Sequence, residues 1–173
     1  MERKNAHFLD EIDEVIAVNN LDPSWLEIEI TESGLISNLD FFLEILQSIR
    51  DKGLSLAIDD FGTGYSNFSY LNILPVNKLK IDKSFIQDQS EKGKSIVLTV
   101  LALAKKLNLK VVGEGIETIS QLEFLFKNQC DEAQGYYFSK PLPRLEFNNF
   151  MNEHRFDTQD HSNSNKSLKT QYV

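Results

Sequence analysis

The sequence has 173 residues, and its 18 basic and 26 acidic side chains give a net charge of −8. This length suits one domain but is short of the roughly 250 residues of a closed eight-unit βα barrel. The acidic balance argues against a DNA or RNA polymer as partner, because such proteins normally carry a basic patch. An anionic small ligand would need cations beside it.

Cysteine usage and apolar runs indicate the cellular compartment. Cys130 is the single cysteine, so an internal disulfide is excluded. The longest apolar run, 96–104, is far below the roughly 20 residues that span a bilayer. We therefore expect a cytoplasmic protein without a membrane segment. We also expect a domain at 1–155 and, because 156–173 has almost nothing to bury, a disordered polar tail.

Helical and strand-like hydrophobic spacing alternate along the chain. A helix is predicted around Phe8–Val18, and helical spacing returns at 39–49 and 96–107. Thr118 with Gln121 three residues later has the form of a capping box. The alternation predicts an α/β fold of about five βα units with a parallel sheet. The strand-like runs are Leu26–Ile30, Leu54–Ile58, Lys78–Ile81, Leu109–Val112 and Tyr136–Phe138.

Charged and polar side chains collect where the predicted strands end. In βα folds, ligands and catalytic groups gather at the carboxyl ends of strands. Carboxylates at four successive strand ends would repel one another unless metal ions neutralised them. The residues in these positions are Glu29, Glu32, Asp59, Asp60, Lys80, Asp82, Glu114, Glu117 and Gln134.

Each of these residues also has a structural explanation when it is taken alone. A glutamate at a strand end is commonly a helix cap or a first-turn residue that interacts with the helix dipole. Asp59 and Asp60 before a glycine-rich segment also fit a turn signal. The segment 62–67 lacks the last glycine of a dinucleotide fingerprint. Its paired glycines fit a gating loop whose Tyr65 and Ser66 meet a ligand.

Five segments in order resemble the EAL domains, which are bacterial phosphodiesterases acting on cyclic di-GMP. The resemblance covers about residues 8–150 and implies a modified TIM barrel with a site for two metal ions, Mg²⁺ or Mn²⁺. This chain would hold the C-terminal part of that barrel. The segments are EITES at 29–33, DDFGTGYS at 59–66, LPVNKLKID at 74–82, EGIET at 114–118 and QGYYFSKPLP at 134–143.

The resemblance assigns roles by position. It implies that Glu29 binds the first metal, that Asp59 bridges both metals, and that Asp60 binds the second. Glu114 would also bind the second metal and is a candidate base, while Lys80 would hold the attacking water. Such a site would explain how an acidic protein binds an anionic dinucleotide.

Further residues are implied on the loop and substrate side of the site. Glu32 would anchor the loop after Asp60, and Gln134 would line the substrate site. The remaining residues implied there are Gly62, Thr63, Gly64, Tyr65, Ser66, Asp82 and Glu117.

Two family features are missing from the sequence. The Glu-Ala-Leu strand and a strand with a metal-binding Asn, expected upstream of Glu29, do not occur in the chain. The first hypothesis is thus an N-terminally truncated phosphodiesterase that converts cyclic di-GMP to pGpG and is weakly active or inactive alone. The alternative is a non-catalytic fragment that acts as a cyclic di-GMP-binding or protein-interaction module. A homodimer, or a missing N-terminal or sensor segment, is a further possible partner.

Overall fold

The computed structural model describes residues 2–32, 39–63 and 68–153. They form six helices and five strands, with short 3-10 helices at Pro23–Trp25 and Phe68–Asn72. The strands are β1 (Glu27–Thr31), β2 (Ser55–Phe61), β3 (Lys78–Ile81), β4 (Lys110–Gly113) and β5 (Glu132–Ala133). The helices are α1 (Glu2–Asn19), α2 (Leu39–Asp51), α3 (Lys83–Gln87), α4 (Glu91–Leu107), α5 (Ile119–Lys127) and α6 (Arg144–Glu153).

All five strands form one parallel sheet in the order β1-β2-β3-β4-β5. Sequential order arises because each strand returns beside its predecessor after a helical connection, as in βα units. Within the described residues, β1 and β5 are the two edges of this sheet. The α/β interpretation with about five βα units is therefore confirmed.

The hydrophobic core lies between the sheet and the helices that cover it. Strand β2 is central to it, and Leu56, Ala57 and Ile58 are completely buried. Helix α2 packs on β2, while α4 packs on β3 and β4. Strands β2 and β4 contain consecutive apolar residues, as expected for strands covered by helices, whereas β1 and β3 alternate apolar with charged residues.

The predicted capping box fixes the start of α5. The Thr118 side chain accepts the backbone N–H of Gln121, and the Gln121 side chain returns to the backbone N–H of Thr118 at 2.9 Å. The same Gln121 Oε1 also accepts the N–H of Glu117 at 2.8 Å. This buried glutamine therefore holds the segment that connects β4 to α5.

The prediction of a fifth strand at Tyr136–Phe138 is wrong, because β5 is the two-residue strand Glu132–Ala133. The ladder ends where the Gln134 N–H donates to Gly113 O at 2.9 Å. The chain then turns, and the Phe138 N–H donates back to Gly135 O at 3.1 Å. Aromatic content suggested a strand here, but a turn holds these residues.

Two other structural findings bear on the earlier predictions. Helix α1 is longer than predicted and packs on the core through Ile12 and its neighbours Leu9 and Ile16. Within the part of the chain that the structure describes, no helix is long and apolar enough to cross a membrane. The predicted tail, 156–173, lies outside the described residues.

Candidate metal centre and active site

Lys80 is the centre of a charged cluster at the carboxyl end of the sheet. It is the third residue of the four-residue strand β3, and only 7% of its side chain is exposed. Its ammonium Nζ lies 2.5 Å from Glu29 Oε1, 3.2 Å from Asp59 Oδ1 and 2.7 Å from Glu114 Oε1. One lysine therefore joins carboxylates from β1, β2 and the residue that follows β4.

A β-bulge brings two consecutive aspartates to the same site. In a regular strand, Asp59 and Asp60 would point to opposite faces of the sheet. The register between β2 and β3 shifts between Ile58 and Phe61, and Asp60 has a left-handed backbone with a φ of 52°. Such bulges re-aim side chains beside active sites. As a result, carboxylate oxygens of Asp59, Asp60 and Glu114 all lie within 4.8 Å of one another.

This group fits a divalent cation. Carboxylate oxygens are the ligands that Mg²⁺ and Mn²⁺ prefer. Asp59 Oδ1 is buried and makes no hydrogen bond with any described residue, although it lies at ion-pair distance from Lys80. A buried carboxylate oxygen without a hydrogen bond is costly unless another cation completes its surroundings. Glu29, the fourth predicted ligand, is not part of this group of three carboxylates; its Oε1 pairs with the Lys80 ammonium.

Burial and charge act in opposite directions on the groups of this cluster. Burial raises the pKa of Glu114, and the hydrogen bond from Lys80 opposes that rise only in part. Burial works against the charge of Lys80, but hydrogen bonds to Glu114 and Glu29 outweigh it and raise the pKa. Burial, followed by the charges of Asp59 and Asp82, raises the pKa of Asp60. The cluster thus combines a lysine and two carboxylates, Asp60 and Glu114, whose pKa values are all raised.

Glu32 is a buried carboxylate close to the Lys80 cluster in the sequence. It follows β1, is 2% exposed, and accepts the Gly62 N–H through Oε2 at 3.1 Å. Gly62 has a φ of +97°, which favours glycine, and a Cβ there would meet the Phe85 ring at 3.1 Å. The next residue, Thr63, donates its hydroxyl to Asp60 O at 2.8 Å. The start of the loop after Asp60 is thus tied to Glu32.

The other residues implied by the resemblance lie around this cluster or outside the described part. Asp82 caps α3 by accepting the Ser84 N–H at 3.0 Å, and it also neighbours Asp60. Glu117 is exposed and accepts a hydrogen bond from Gln87 at 3.1 Å. Gln134 is exposed and pairs through its backbone with Gly113 and Ile116. Gly64, Tyr65 and Ser66 lie outside the described residues.

Sequence reasoning missed two residues that the structure places next to the site. Tyr70 is buried beside Glu32, and its pKa is raised by burial and then by the negative charge of Glu32. Gly115 directly follows Glu114 with a φ of +68°, and a Cβ there would lie 2.4 Å from Lys83 Cβ. The position of Gly115 directly after Glu114 in the sequence could have predicted a turn with a left-handed backbone at this point. Nothing in the local sequence of Tyr70 distinguishes it from a core tyrosine.

Comparison with known proteins assigns this fold and cluster to a family. The sequence profile described as EAL domain matches residues 2–141. The cyclic di-GMP phosphodiesterase NbdA of Pseudomonas aeruginosa is 45% identical over 154 residues, which are 88% of this chain and 20% of NbdA. The chain therefore belongs to the EAL domain family, as the resemblance predicted.

Solved structures agree with this assignment. The MucR phosphodiesterase of Pseudomonas aeruginosa, in complex with c-di-GMP, has a TM-score of 0.77 and 39% identity, covering 80% of this chain and 57% of that chain. Klebsiella pneumoniae BlrP1, in a manganese and cy-diGMP complex, has a TM-score of 0.72 and 33% identity, covering 77% and 34%. The expected fold, part of a TIM-type barrel, is confirmed. The chain spans only part of each of these proteins.

Proposed function

We propose that this chain is the C-terminal part of an EAL phosphodiesterase domain, which opens cyclic di-GMP to the linear dinucleotide pGpG by a two-metal mechanism. The observation that carries the proposal is the Lys80 cluster, where one cation faces the carboxylates of Glu29, Asp59 and Glu114. Its position at the carboxyl ends of parallel strands is the usual position of active sites in βα folds. The relatives named above support cyclic di-GMP as the substrate.

The residues present divide into a cation-binding set and a proton-transfer set. Asp59, Asp60 and Glu114 would hold divalent cations, with Glu29 as the further ligand. Mg²⁺ or Mn²⁺, when bound, would lower the pKa of water and neutralise phosphodiester oxygens. Glu114, which lies 2.7 Å from Lys80 Nζ, would be the acceptor for the proton of the attacking water.

Lys80 has a different part in the proposed reaction. Its ammonium stays charged because Glu114 and Glu29 hold it by hydrogen bonds. From this position it can orient the attacking water and donate to the negative charge that develops on the phosphate. Water forms a bond to phosphorus, one P–O bond of the ring breaks, and the leaving oxygen takes up a proton. Because carboxylates from β1, from β2 and from the residue after β4 hold its ammonium, Lys80 is well fixed for this positioning role.

We further propose that these 173 residues alone are weakly active or inactive. The resemblance places two more first-metal ligands on strands ahead of Glu29. In the described residues ahead of β1 there are helices and loop, and no strand. A site with fewer ligands holds its cations more weakly and leaves the catalytic geometry less fixed.

A non-catalytic interaction module is the second candidate function. It is favoured by exposed apolar side chains on α6, a helix without any buried residue; Leu145 is 78% exposed. The outer edges of β1 and β5, which pair with no further strand among the described residues, also favour association with another chain.

Two preparations test these candidates. The first is the purified chain, incubated with cyclic di-GMP and Mn²⁺ and assayed for pGpG by chromatography. The second is a chimera in which residues 8–150 replace the matching segment of the MucR phosphodiesterase domain. Asp59→Asn is the inactivating variant, and Glu132→Gln is the matched control, because Glu132 pairs with Lys78 and Lys110 and not with Lys80.

We expect only traces of pGpG from the chain alone and rapid hydrolysis by the chimera. The Asp59→Asn chimera should lose activity by at least 100-fold, and the Glu132→Gln chimera should keep it. Rapid hydrolysis by the isolated chain would contradict the proposed weak activity. A folded chimera that binds cyclic di-GMP without cleaving it would favour the module over the enzyme.

A further inference from the structure

Tyr70 and Glu32 are both buried, and Glu32 holds the Gly62 N–H beside the candidate site. We propose that Glu32 clamps the segment after Asp60 at two points: Oε2 holds the Gly62 N–H, and Oε1 accepts the hydroxyl of Tyr70. Tyr70 is then a positioning residue for the site, acting through Glu32 and Gly62.

The first argument is hydrogen-bond accounting. Glu32 Oε1 and the Tyr70 hydroxyl are both buried, and neither has a geometrically satisfied hydrogen bond with a described residue. Each such group costs roughly 1–3 kcal/mol when it stays without a partner. A carboxylate oxygen only accepts, whereas a phenol can donate, so the two groups complement each other. The two residues are 2% and 7% exposed, which limits access of water.

The second argument is proximity. After burial, the largest contributions to the raised pKa of Tyr70 come from the charge of Glu32 and a hydrogen bond to it. Tyr70 is therefore next to this carboxylate. The hydroxyl and the carboxylate are therefore close enough for the proposed hydrogen bond.

The third argument is connectivity. Gly62 lies two residues after Asp60, and Glu32 already holds its N–H at 3.1 Å. The Tyr70 carbonyl accepts the N–H groups of Ile73 and Leu74 at 3.0 and 3.1 Å, and Leu74 belongs to the core. The proposed contact therefore ties the residues beside Asp60 to the buried segment that leads into β3.

The clamp is a contact within this chain, and only its effect on nucleotide binding rests on the proposed function. The test uses the full chain and three variants: Tyr70→Phe, Glu32→Ala and the double variant. Tyr70→Phe removes one hydroxyl and keeps the ring, so the fold should persist. Tyr137→Phe, at a tyrosine that is 41% exposed, is the matched control.

The first readout is hydrogen exchange of the Gly62 amide, measured by NMR without nucleotide. We expect exchange at least 10-fold faster in Tyr70→Phe and in Glu32→Ala, with the double variant no faster than Glu32→Ala. Tyr137→Phe should match the wild type. Exchange in Tyr70→Phe within twofold of the wild type would overturn the clamp. The clamp would also be overturned if the fold-increases in Gly62 exchange of the two single variants multiplied in the double variant. Multiplied effects would show that Tyr70 and Glu32 act independently.

The second readout is affinity for cyclic di-GMP by calorimetry, with Ca²⁺ as the cation, since BlrP1 is known in a calcium and cy-diGMP complex. We expect about 10-fold weaker binding by Tyr70→Phe and no change in Tyr137→Phe. Equal affinities of Tyr70→Phe and the wild type would overturn the positioning role. If the wild-type chain alone does not bind cyclic di-GMP, the same titration is made with the chimera described above. A chimera that also fails to bind would contradict the proposed function, and Gly62 exchange still decides whether the clamp exists.

Discussion

Two lysines of one strand, Lys78 and Lys80, belong to two clusters of charged side chains that differ in net charge. They are two residues apart in β3, so their side chains lie on the same face of the sheet. Lys78 Nζ pairs with Glu27 at 3.0 Å and with Glu132 at 2.8 Å, towards the amino ends of the strands. Lys80 pairs with three carboxylates at the carboxyl ends. We call these the lower cluster and the upper cluster.

The two clusters differ in charge balance. In the lower cluster, Lys110 also lies 3.9 Å from Glu132, so two positive and two negative side chains cancel. Among the described residues, the upper cluster pairs Lys80 with Glu29, Asp59 and Glu114 and has Asp60 beside them, which leaves a formal excess of three negative charges over these five side chains. A balanced network stabilises the fold without a ligand, whereas an unbalanced one is stable only with added cations or raised pKa values. This difference separates a structural cluster from a candidate metal centre.

Removal of Lys80 should give the largest effect. Lys80→Met leaves Glu29, Asp59 and Glu114 without their shared cation, and breaking a buried ion pair in this way costs about 3–5 kcal/mol. We expect urea denaturation to show a loss of about 3 kcal/mol without metal. Added Mn²⁺ should restore more stability to Lys80→Met than to the wild type. A loss below about 1 kcal/mol would contradict the central role of Lys80.

A methyl group at Gly115 should disturb the upper cluster next most. Gly115→Ala has a φ of +68° and brings the new Cβ to 2.4 Å from Lys83 Cβ, so the turn after Glu114 must move. We expect a loss of about 2–3 kcal/mol, from backbone strain and overpacking together. Gly53→Ala is the matched control: its φ is +92°, but its Cβ would be an ordinary 3.4 Å from Pro23 Cβ. Equal losses in both variants would show that only backbone strain matters.

Removal of Lys78 should cost less than removal of Lys80. Lys78→Met leaves Glu27 and Glu132 partly exposed and keeps Lys110 near Glu132. Solvent and the remaining lysine screen these charges, so we expect a loss of about 1 kcal/mol. Mn²⁺ should stabilise this variant as much as the wild type in a thermal melt. A specific loss of Mn²⁺ stabilisation in Lys78→Met would contradict the distinction between the clusters.

The smallest effect is expected from the thiol near the lower cluster. Burial raises the pKa of Cys130 to about 12 from an ordinary 9.0. The native thiol should therefore resist iodoacetamide at pH 8.5, with or without Mn²⁺, until the chain unfolds. Because the folded thiol keeps its proton longer than the unfolded one, its contribution to stability is complete below pH 9 and declines as pH rises towards 12. Cys130→Ala should lack this part of the pH dependence, measured by urea denaturation.

The sequence predicts which residues reach the site better than it predicts how they reach it. Strand periodicity and strand-end charges predict that Glu29, Lys80 and Glu114 lie at the carboxyl ends of parallel strands. The structure brings their charged groups together. The bulge at Asp60 was not predictable, because a period-two pattern cannot show where one residue departs from it. The buried neighbour of Glu32, Tyr70, depends on packing between segments 38 residues apart in the sequence.

The short strand β5 shows the same limit for the fold. Glu132–Ala133 has no β-branched or aromatic residue, so its strand conformation comes from pairing with Val112 and Gly113 of β4. Local propensity instead favoured Tyr136–Phe138, where the backbone turns. Pairing with β4 therefore determines the position of β5, which the local sequence does not predict.

The most direct test of the account is calorimetric titration of Mn²⁺ into three forms of the chain: the wild type, Asp59→Asn and Glu132→Gln. Asp59 belongs to the upper cluster and Glu132 to the lower one, and each substitution removes a single negative charge. We expect the wild type and Glu132→Gln to bind Mn²⁺ with equal affinity, and Asp59→Asn to bind at least 100-fold more weakly. Equal affinity in Asp59→Asn and the wild type, or loss of binding in Glu132→Gln, would contradict the assignment of the upper cluster as the metal centre.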